Sequence, residues 1–239
     1  PKGYAIAVEE LKKNYGKFQA LKDVSFRVQE NSIHGFLGPN GAGKTTTLRI
    51  LAGLLSADAG AIKLFSQDYA EWFDHSENYP AQLIRFLQES PPLYRNMRVM
   101  EFIKFMAQIH GMGKKLTLPL RDRLLDQCQL SQLTSRLVGN LSKGQKQKVA
   151  LAGLLITNPK ILILDEPMTG LDPHAIFDLR KLLQELSKDH TILFSSHQLH
   201  EVENLCTEVT IINQGLVVNS GNLAQIEKGY KQKQVIEAV

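Results

Sequence analysis

The 239 residues are 43% hydrophobic and 22% charged, with a formal net charge of +4, an ordinary balance for a chain that folds around a sizeable core. The basic residues are scattered, with no Lys/Arg block interleaved with aromatics, which argues against nucleic acid as a partner and suits a solvated face or one lying near anionic lipid. The longest apolar run, Val149 to Ile156, is too short to span a bilayer, and Cys128 and Cys206 lack CxxC spacing, so the expectation is a cytoplasmic protein with no disulfide or zinc framework whose membrane role is peripheral.

Tyr4 to Val8 predicts a first strand and Asn14-Tyr15-Gly16-Lys17 a turn; Val24, Phe26 and Val28 then alternate with polar residues, as in a half-buried strand. Tyr15 has two readings, an aromatic packed on a strand or a platform on which a base stacks. Ile33 to Leu37 reads as a short buried strand and Thr46 to Leu54 as a helix. Between them Gly38-Pro39-Asn40-Gly41-Ala42-Gly43-Lys44-Thr45-Thr46 fits the Walker A pattern G-x-x-x-x-G-K-[ST] in its strand–loop–helix context. A glycine-rich turn brings backbone N–H groups together with no side chain in the way, and the positive end of a helix points at the same volume. Lys44 adds a cation for the β- and γ-phosphates of a nucleotide, and Thr45 a hydroxyl for Mg²⁺.

Ala57 to Gly60 turns the chain into a strand at Ala61 to Phe65. Residues 66–82 read as a connector. Leu83 to Leu87 is another short strand, and Ser90-Pro91-Pro92 forbids its continuation. Gln88 is thereby left at the carboxyl end of a strand, where ligands sit in open α/β sheets. From Val99 to Ile156 the period becomes helical: Phe102, Phe105, Met106 and Ile109 share one helix face, and Leu120, Leu124 and Leu125 share another on Leu118 to Cys128, both read as core. Residues 89–157 read as a helical sub-lobe in an α/β core. Leu141-Ser142-Lys143-Gly144-Gln145 opens a third helix with Ser142 as N-cap, a hydroxyl and a glycine that could hold an anion.

Ile161-Leu162-Ile163-Leu164 suits a strand buried on both faces, and Asp165-Glu166-Pro167 puts two carboxylates at its carboxyl end. Asp165 is placed to hold Mg²⁺ or its water, and Glu166 to polarise a water for attack on a γ-phosphate. Thr169 to Pro173 turns into a helix to about Ser187. Thr191 to Phe194 is a strand that brings His197 to the crevice shared with Gln88 and Glu166. His197, His200 and Glu201 imitate a zinc pair but lack a further ligand. Glu208 to Asn213 and Leu216 to Val218 form a hairpin about Gln214-Gly215, and a short helix follows Asn222.

These pieces together resemble the ATP-binding subunit of an ABC transporter, from Tyr15 to about Gly221. The resemblance implies an α/β P-loop NTPase of ABC type, a mainly parallel core sheet with an antiparallel β part and an inserted helical subdomain. Within a single 1–239 domain the α/β core is 1–88 and 158–221, the helical subdomain 89–157 and the tail 222–239. It implies an ATPase with ATP and Mg²⁺, in which Tyr15 stacks the base and Gly38, Pro39, Asn40, Gly41, Ala42, Gly43, Lys44, Thr45 and Thr46 hold the phosphates. Ile161 to Asp165 is the Walker B match, Thr45, Gln88 and Asp165 serve the metal, Gln88 is the Q-loop glutamine, and Lys44, Glu166 and His197 are catalytic. Asp172 matches the D-loop aspartate. Ser142, Gly144 and Gln145 match the Leu-Ser-Gly-Gly-Gln signature, from which Lys143 departs. In the family, Ser142 and Gly144 would touch the nucleotide bound by the opposite subunit.

The partners so implied are a second copy or a homologous ATPase subunit, joined head to tail, and integral membrane permease subunits at the cytoplasmic face, with no direct contact with the transported substrate and no nucleic acid. Gln88 to Tyr94 and the Lys143 variant look most like ABC-2-type export ATPases. The alternative is an ABC-type ATPase of a soluble assembly complex, such as an iron–sulfur scaffold. A P-loop kinase would give no reason for Ser142 to Gln145, Gln88 and His197 together.

Overall fold

A computed structural model describes residues 3–65, 67–68 and 82–226. In chain order the elements are β1 (Tyr4–Tyr15), β2 (Phe18–Gln29), β3 (Ile33–Leu37), α1 (Lys44–Leu51), β4 (Ala59–Leu64), β5 (Gln67–Asp68) and β6 (Ile84–Leu87). Then follow α2 (Val99–Ile109), α3 (Leu118–Gln127), α4 (Lys143–Leu155), β7 (Ile161–Leu164), α5 (Pro173–Leu186), β8 (Thr191–Ser196), α6 (Leu199–Glu203), β9 (Glu208–Asn213) and β10 (Leu216–Asn222). Most of the connector expected over 66–82 lies outside the described residues, as does the tail beyond residue 226.

Among the described residues ten strands share one sheet, in the order β5-β4-β1-β2-β10-β9-β3-β8-β7-β6. β9, β3, β8, β7 and β6 run parallel, while β5, β4, β1 and β2 pair antiparallel. β10 folds back antiparallel on β9 through Gln214 and Gly215, both at positive φ as a tight hairpin requires, and meets β2 at the single pair Leu216 and Asp23. The fold is therefore a mainly parallel α/β core with an antiparallel part, and three helices lie in the chain between β6 and β7.

β7 shows why its sequence is apolar throughout. Successive strand residues point to opposite faces. Ile161 and Ile163 enter the core beneath α1 and the antiparallel strands, whereas Leu162 and Leu164 enter the core under α4 and α5. β8 divides likewise, with Ile192 and Phe194 on the α4–α5 side and Leu193 on the other.

The structure departs from the predicted elements at several points, among them that β10 runs on to Asn222, beyond the predicted Val218. β1 and β2 are longer than the alternation predicts, because register shifts lie between Val8 and Leu11 and between Leu11 and Lys13, with Glu10 at φ 51°. Such bulges move the apolar residues off a strict period of two. α1 begins at Lys44 rather than Thr46, since Gly43 at φ 109° is its N-cap. Ile109 and Leu120, expected in the core, are exposed; α2 buries Val99, Phe102, Ile103 and Ala107, and α3 buries Leu124 and Leu125.

Candidate functional site

The loop from β3 to α1 cannot carry side chains at its tightest points. A Cβ on Gly38 would stand 2.3 Å from the carbonyl oxygen of Ile212, and one on Gly43 2.6 Å from Leu21 Cδ2. Gly41, at φ 79°, has no heavy atom within 4 Å of its Cβ position, so the crest of the loop is open on that side. The first bond of the α1 ladder runs from the Thr47 N–H to the Gly43 carbonyl at 3.0 Å. The N–H groups of Lys44, Thr45 and Thr46 therefore precede the ladder and project from the positive end of the helix. Lys44 is buried, and its ammonium donates to the carbonyls of Gly38 at 2.7 Å and Pro39 at 3.2 Å. This donor set fits a polyphosphate: converging amides, a cation and a backbone that can be closely approached.

At the end of β7, Asp165 is buried and accepts from Ser195 Oγ at 2.7 Å; Ser195 Oγ in turn accepts from the Glu166 N–H at 2.9 Å. Ser195 thus fixes both acidic residues from β8. Glu166 has a left-handed backbone, φ 46°, unusual for a residue with a side chain and a sign that its surroundings hold it. Its Oε1 lies 3.3 Å from Lys44 Nζ. Its Oε2 accepts from Thr169 Oγ1 at 3.0 Å and lies 2.8 Å from His197 Nδ1. His197 Nε2 stands 3.3 Å from the Gln198 side-chain nitrogen, so the tautomer with hydrogen on Nδ1 satisfies both ring nitrogens.

These residues surround one cleft of about 440 Å³. It is lined by Asn40, Gly41, Gly43, Lys44, Thr45 and Thr46 from the loop and α1, by Glu166, Thr169 and His197, and by Tyr15 at the far end. Tyr15 is half exposed at the tip of the β1–β2 hairpin. Gly38, Pro39 and Ala42 support the loop from behind: Pro39 accepts from the Ala42 N–H, and Ala42 accepts from the Gly215 N–H. Gln88 is exposed just after β6 and is not among the lining residues; its neighbour Glu89 is.

Ser142, Gly144, Gln145 and Asp172 do not line the cleft of their own chain. They gather where the N-termini of α4 and α5 meet. Ser142 Oγ accepts from the Gln145 N–H at 3.2 Å, Gln145 Oε1 accepts from the Ser142 N–H at 3.1 Å, and Asp172 caps α5 by accepting from the Ala175 N–H at 3.0 Å. Glu201, suspected as a false metal ligand, is buried and accepts from Ser196 Oγ at 2.6 Å.

The sequence reading missed Phe18, Thr169 and Ser195. Phe18 pairs with Tyr15 across the hairpin and lines the cleft, and an aromatic two residues beyond Gly16 was a usable signal. Thr169 and Ser195 act on carboxylates through side-chain contacts that no spacing reveals.

The family model described as ABC transporter matches residues 21–169. The chain is 37% identical over 212 residues to the bacitracin transport ATP-binding protein BcrA of Bacillus licheniformis, covering 88% of this chain and 67% of that one. It is 34% identical over 233 residues to the lantibiotic transport ATP-binding protein SrtF of Streptococcus pyogenes, covering 97% and 94%. Among solved structures, an ATP-binding cassette of an ABC transporter in its ADP conformation superposes with a TM-score of 0.82 at 26% identity, covering 98% of this chain and 97% of the other. CbiO1 of Clostridium perfringens, part of the ABC transporter complex CbiONQ, superposes at 0.81 with 29% identity, covering 100% and 95%. These relatives leave the soluble-assembly alternative without support. A phosphate-fitting loop, the Glu166 carboxylate facing it across one cleft with Asp165 buried next to it in the chain, and a family match over most of the chain lead to one conclusion: the chain belongs to the ABC transporter ATP-binding family and is an ATP-hydrolysing subunit of such a transporter.

Proposed function

We propose that this chain powers an ABC-2-type exporter by hydrolysing ATP between two head-to-tail copies, or between itself and a homologous subunit. The observation that carries the catalytic reading is the 3.3 Å approach of Lys44 Nζ to Glu166 Oε1 over the cleft. A γ-phosphate bound by the lysine lies next to the carboxylate that must act on its attacker. Lys44 then exchanges the Gly38 and Pro39 carbonyls for phosphate oxygens, Glu166 orients and polarises the water, and His197, already on the same carboxylate, holds the γ-phosphate side of the site. Thr45, Asp165 and Gln88 are the residues for Mg²⁺, which when bound neutralises charge on the phosphate oxygens. Tyr15 takes the base.

Ser142, Gly144 and Gln145, with Asp172, face the nucleotide of the opposite copy, consistent with their standing clear of their own cleft. Residues 89–157 act as the helical subdomain of one 1–239 cassette, with the 222–239 tail beyond the core. Permease subunits are the membrane partners and the chain is peripheral at the cytoplasmic face; among the described residues no helix is long and apolar enough to cross a membrane. Export is supported by the relatives named for bacitracin and lantibiotic transport and by the Lys143 form of the signature.

The test is Glu166→Gln. It keeps the shape of the side chain and removes the base. ATP hydrolysis is expected to fall by about 10²–10⁴-fold, with ATP binding retained and a dimer trapped on a sizing column. Hydrolysis at the wild-type rate would remove Glu166 from the mechanism.

A further inference from the structure

We infer that Thr169 and Lys143 are positioning residues for the Glu166 carboxylate, an inference that rests on the catalytic reading of Glu166 above. Glu166 occupies a left-handed backbone conformation and its side chain meets three groups in the cleft. Two of them, Lys44 and His197, are ionisable and must turn to phosphate when substrate arrives. The third, the Thr169 hydroxyl, is neutral and donates to Oε2 at 3.0 Å, so it can hold the carboxylate while the others change partners.

The hydroxyl is well aimed because its chain segment is closed on itself. The Thr169 N–H donates to the Glu166 carbonyl at 3.2 Å, and the Leu171 N–H to that of Met168 at 3.2 Å. Met168 is buried in the core under α4 and α5 and anchors the turn from below. The outer side of the turn is held from another element. Lys143, in the first turn of α4, sends its ammonium across to the Thr169 carbonyl at 2.7 Å. Gly170 completes the turn at φ 67°, a left-handed backbone that favours glycine.

Local helix physics does not account for Lys143. A cation in the first turn of a helix opposes the helix dipole. Its placement is explained by the charge-assisted bond it makes 26 residues away along the chain. Position 143 thereby joins the start of α4 to the turn that aims the carboxylate, and the departure from the signature gains a physical role.

The experiment is steady-state ATP hydrolysis by the purified full chain, with ATP affinity measured separately by calorimetry. Thr169→Val keeps the shape and deletes the donor; kcat is expected to fall by about tenfold, with KM and ATP affinity within twofold of wild type. Thr169→Ser restores the hydroxyl and should recover most of kcat. Lys143→Met, at an exposed position where folding is not at stake, is expected to lower kcat by about threefold without changing ATP affinity. In a Glu166→Gln background, Thr169→Val should have no further effect on the residual rate.

Wild-type kcat in Thr169→Val or Lys143→Met, with Glu166→Gln inactive, overturns the inference and leaves the catalytic reading standing. A loss in Thr169→Val that lies in KM and ATP affinity instead of kcat also overturns it, since Thr169 would then serve binding. Wild-type hydrolysis by Glu166→Gln overturns both.

Discussion

Gly144 of α4 sits so close to Ala175 of α5 that a Cβ on the glycine would stand 2.7 Å from the alanine methyl. The glycine is needed for the approach of two helix starts, one capped by Ser142 and the other by Asp172, whatever it does for a ligand.

Gly144→Ala is therefore expected to destabilise the fold by about 1–3 kcal/mol through overpacking. Ala175→Gly supplies the missing space, and the double variant should recover most of the urea midpoint lost by Gly144→Ala. An unchanged midpoint in Gly144→Ala would show that the helices part freely, and the close contact would then carry no energetic weight.

Lys44→Ala removes the one buried ammonium that the loop closes around. ATP affinity is expected to fall by roughly 100-fold, the loss of two charge-assisted contacts. Calorimetric titration with ATP checks it. Undiminished affinity would move nucleotide binding away from this loop.

How much of this was legible in the sequence depended on whether a role is local. Ile161 to Leu164 announced a strand buried on both faces because each face claims every second residue. Lys44 and the glycines were legible because a phosphate site is built from consecutive backbone. The β1–β2 hairpin was only half legible, since bulges at Glu10 and Leu11 break the alternation on which strands are recognised. Ser195 and the destination of Lys143 were not legible at all: each acts on a group brought near by the fold, 30 residues away for Ser195 on Asp165 and 26 for Lys143 on Thr169, while Thr169, only three residues from Glu166, was hidden because nothing local says which way its hydroxyl turns. Ile109 and Leu120 show the reverse error, where correct chain position did not fix which way a side chain faces.

The buried His34 of β3 gives a pH dependence. Its Nε2 bonds Thr210 Oγ1 at 2.9 Å, its Nδ1 has no hydrogen-bond partner among the described residues, and Glu208 Oε2 lies 3.9 Å from it. Burial lowers its pKa from 6.5 to about 4. The unfolded chain therefore binds a proton between those values that the folded chain does not, so stability is full above about pH 6.5 and falls as the pH is lowered towards 4. From pH 7 to 5 the loss is about 2 kcal/mol. Urea midpoints at pH 7 and pH 5 measure it, and His34→Gln should flatten the difference. An equal pH response in wild type and variant would assign the titration elsewhere.

The seam between β10 and β2, joined at Leu216 and Asp23, divides the walls of the cleft. Tyr15 and Phe18 belong to the antiparallel side, whereas Lys44, Glu166 and His197 belong to the parallel side. A nucleotide lying between them is a staple across a line that a single residue pair joins among the described residues. Its binding free energy is then felt as cohesion of the whole fold, adding about 2.7 kcal/mol at a hundredfold excess over Kd. The melting temperature of the chain becomes a gauge of how full the cleft is, and ATP acts as mortar as well as fuel.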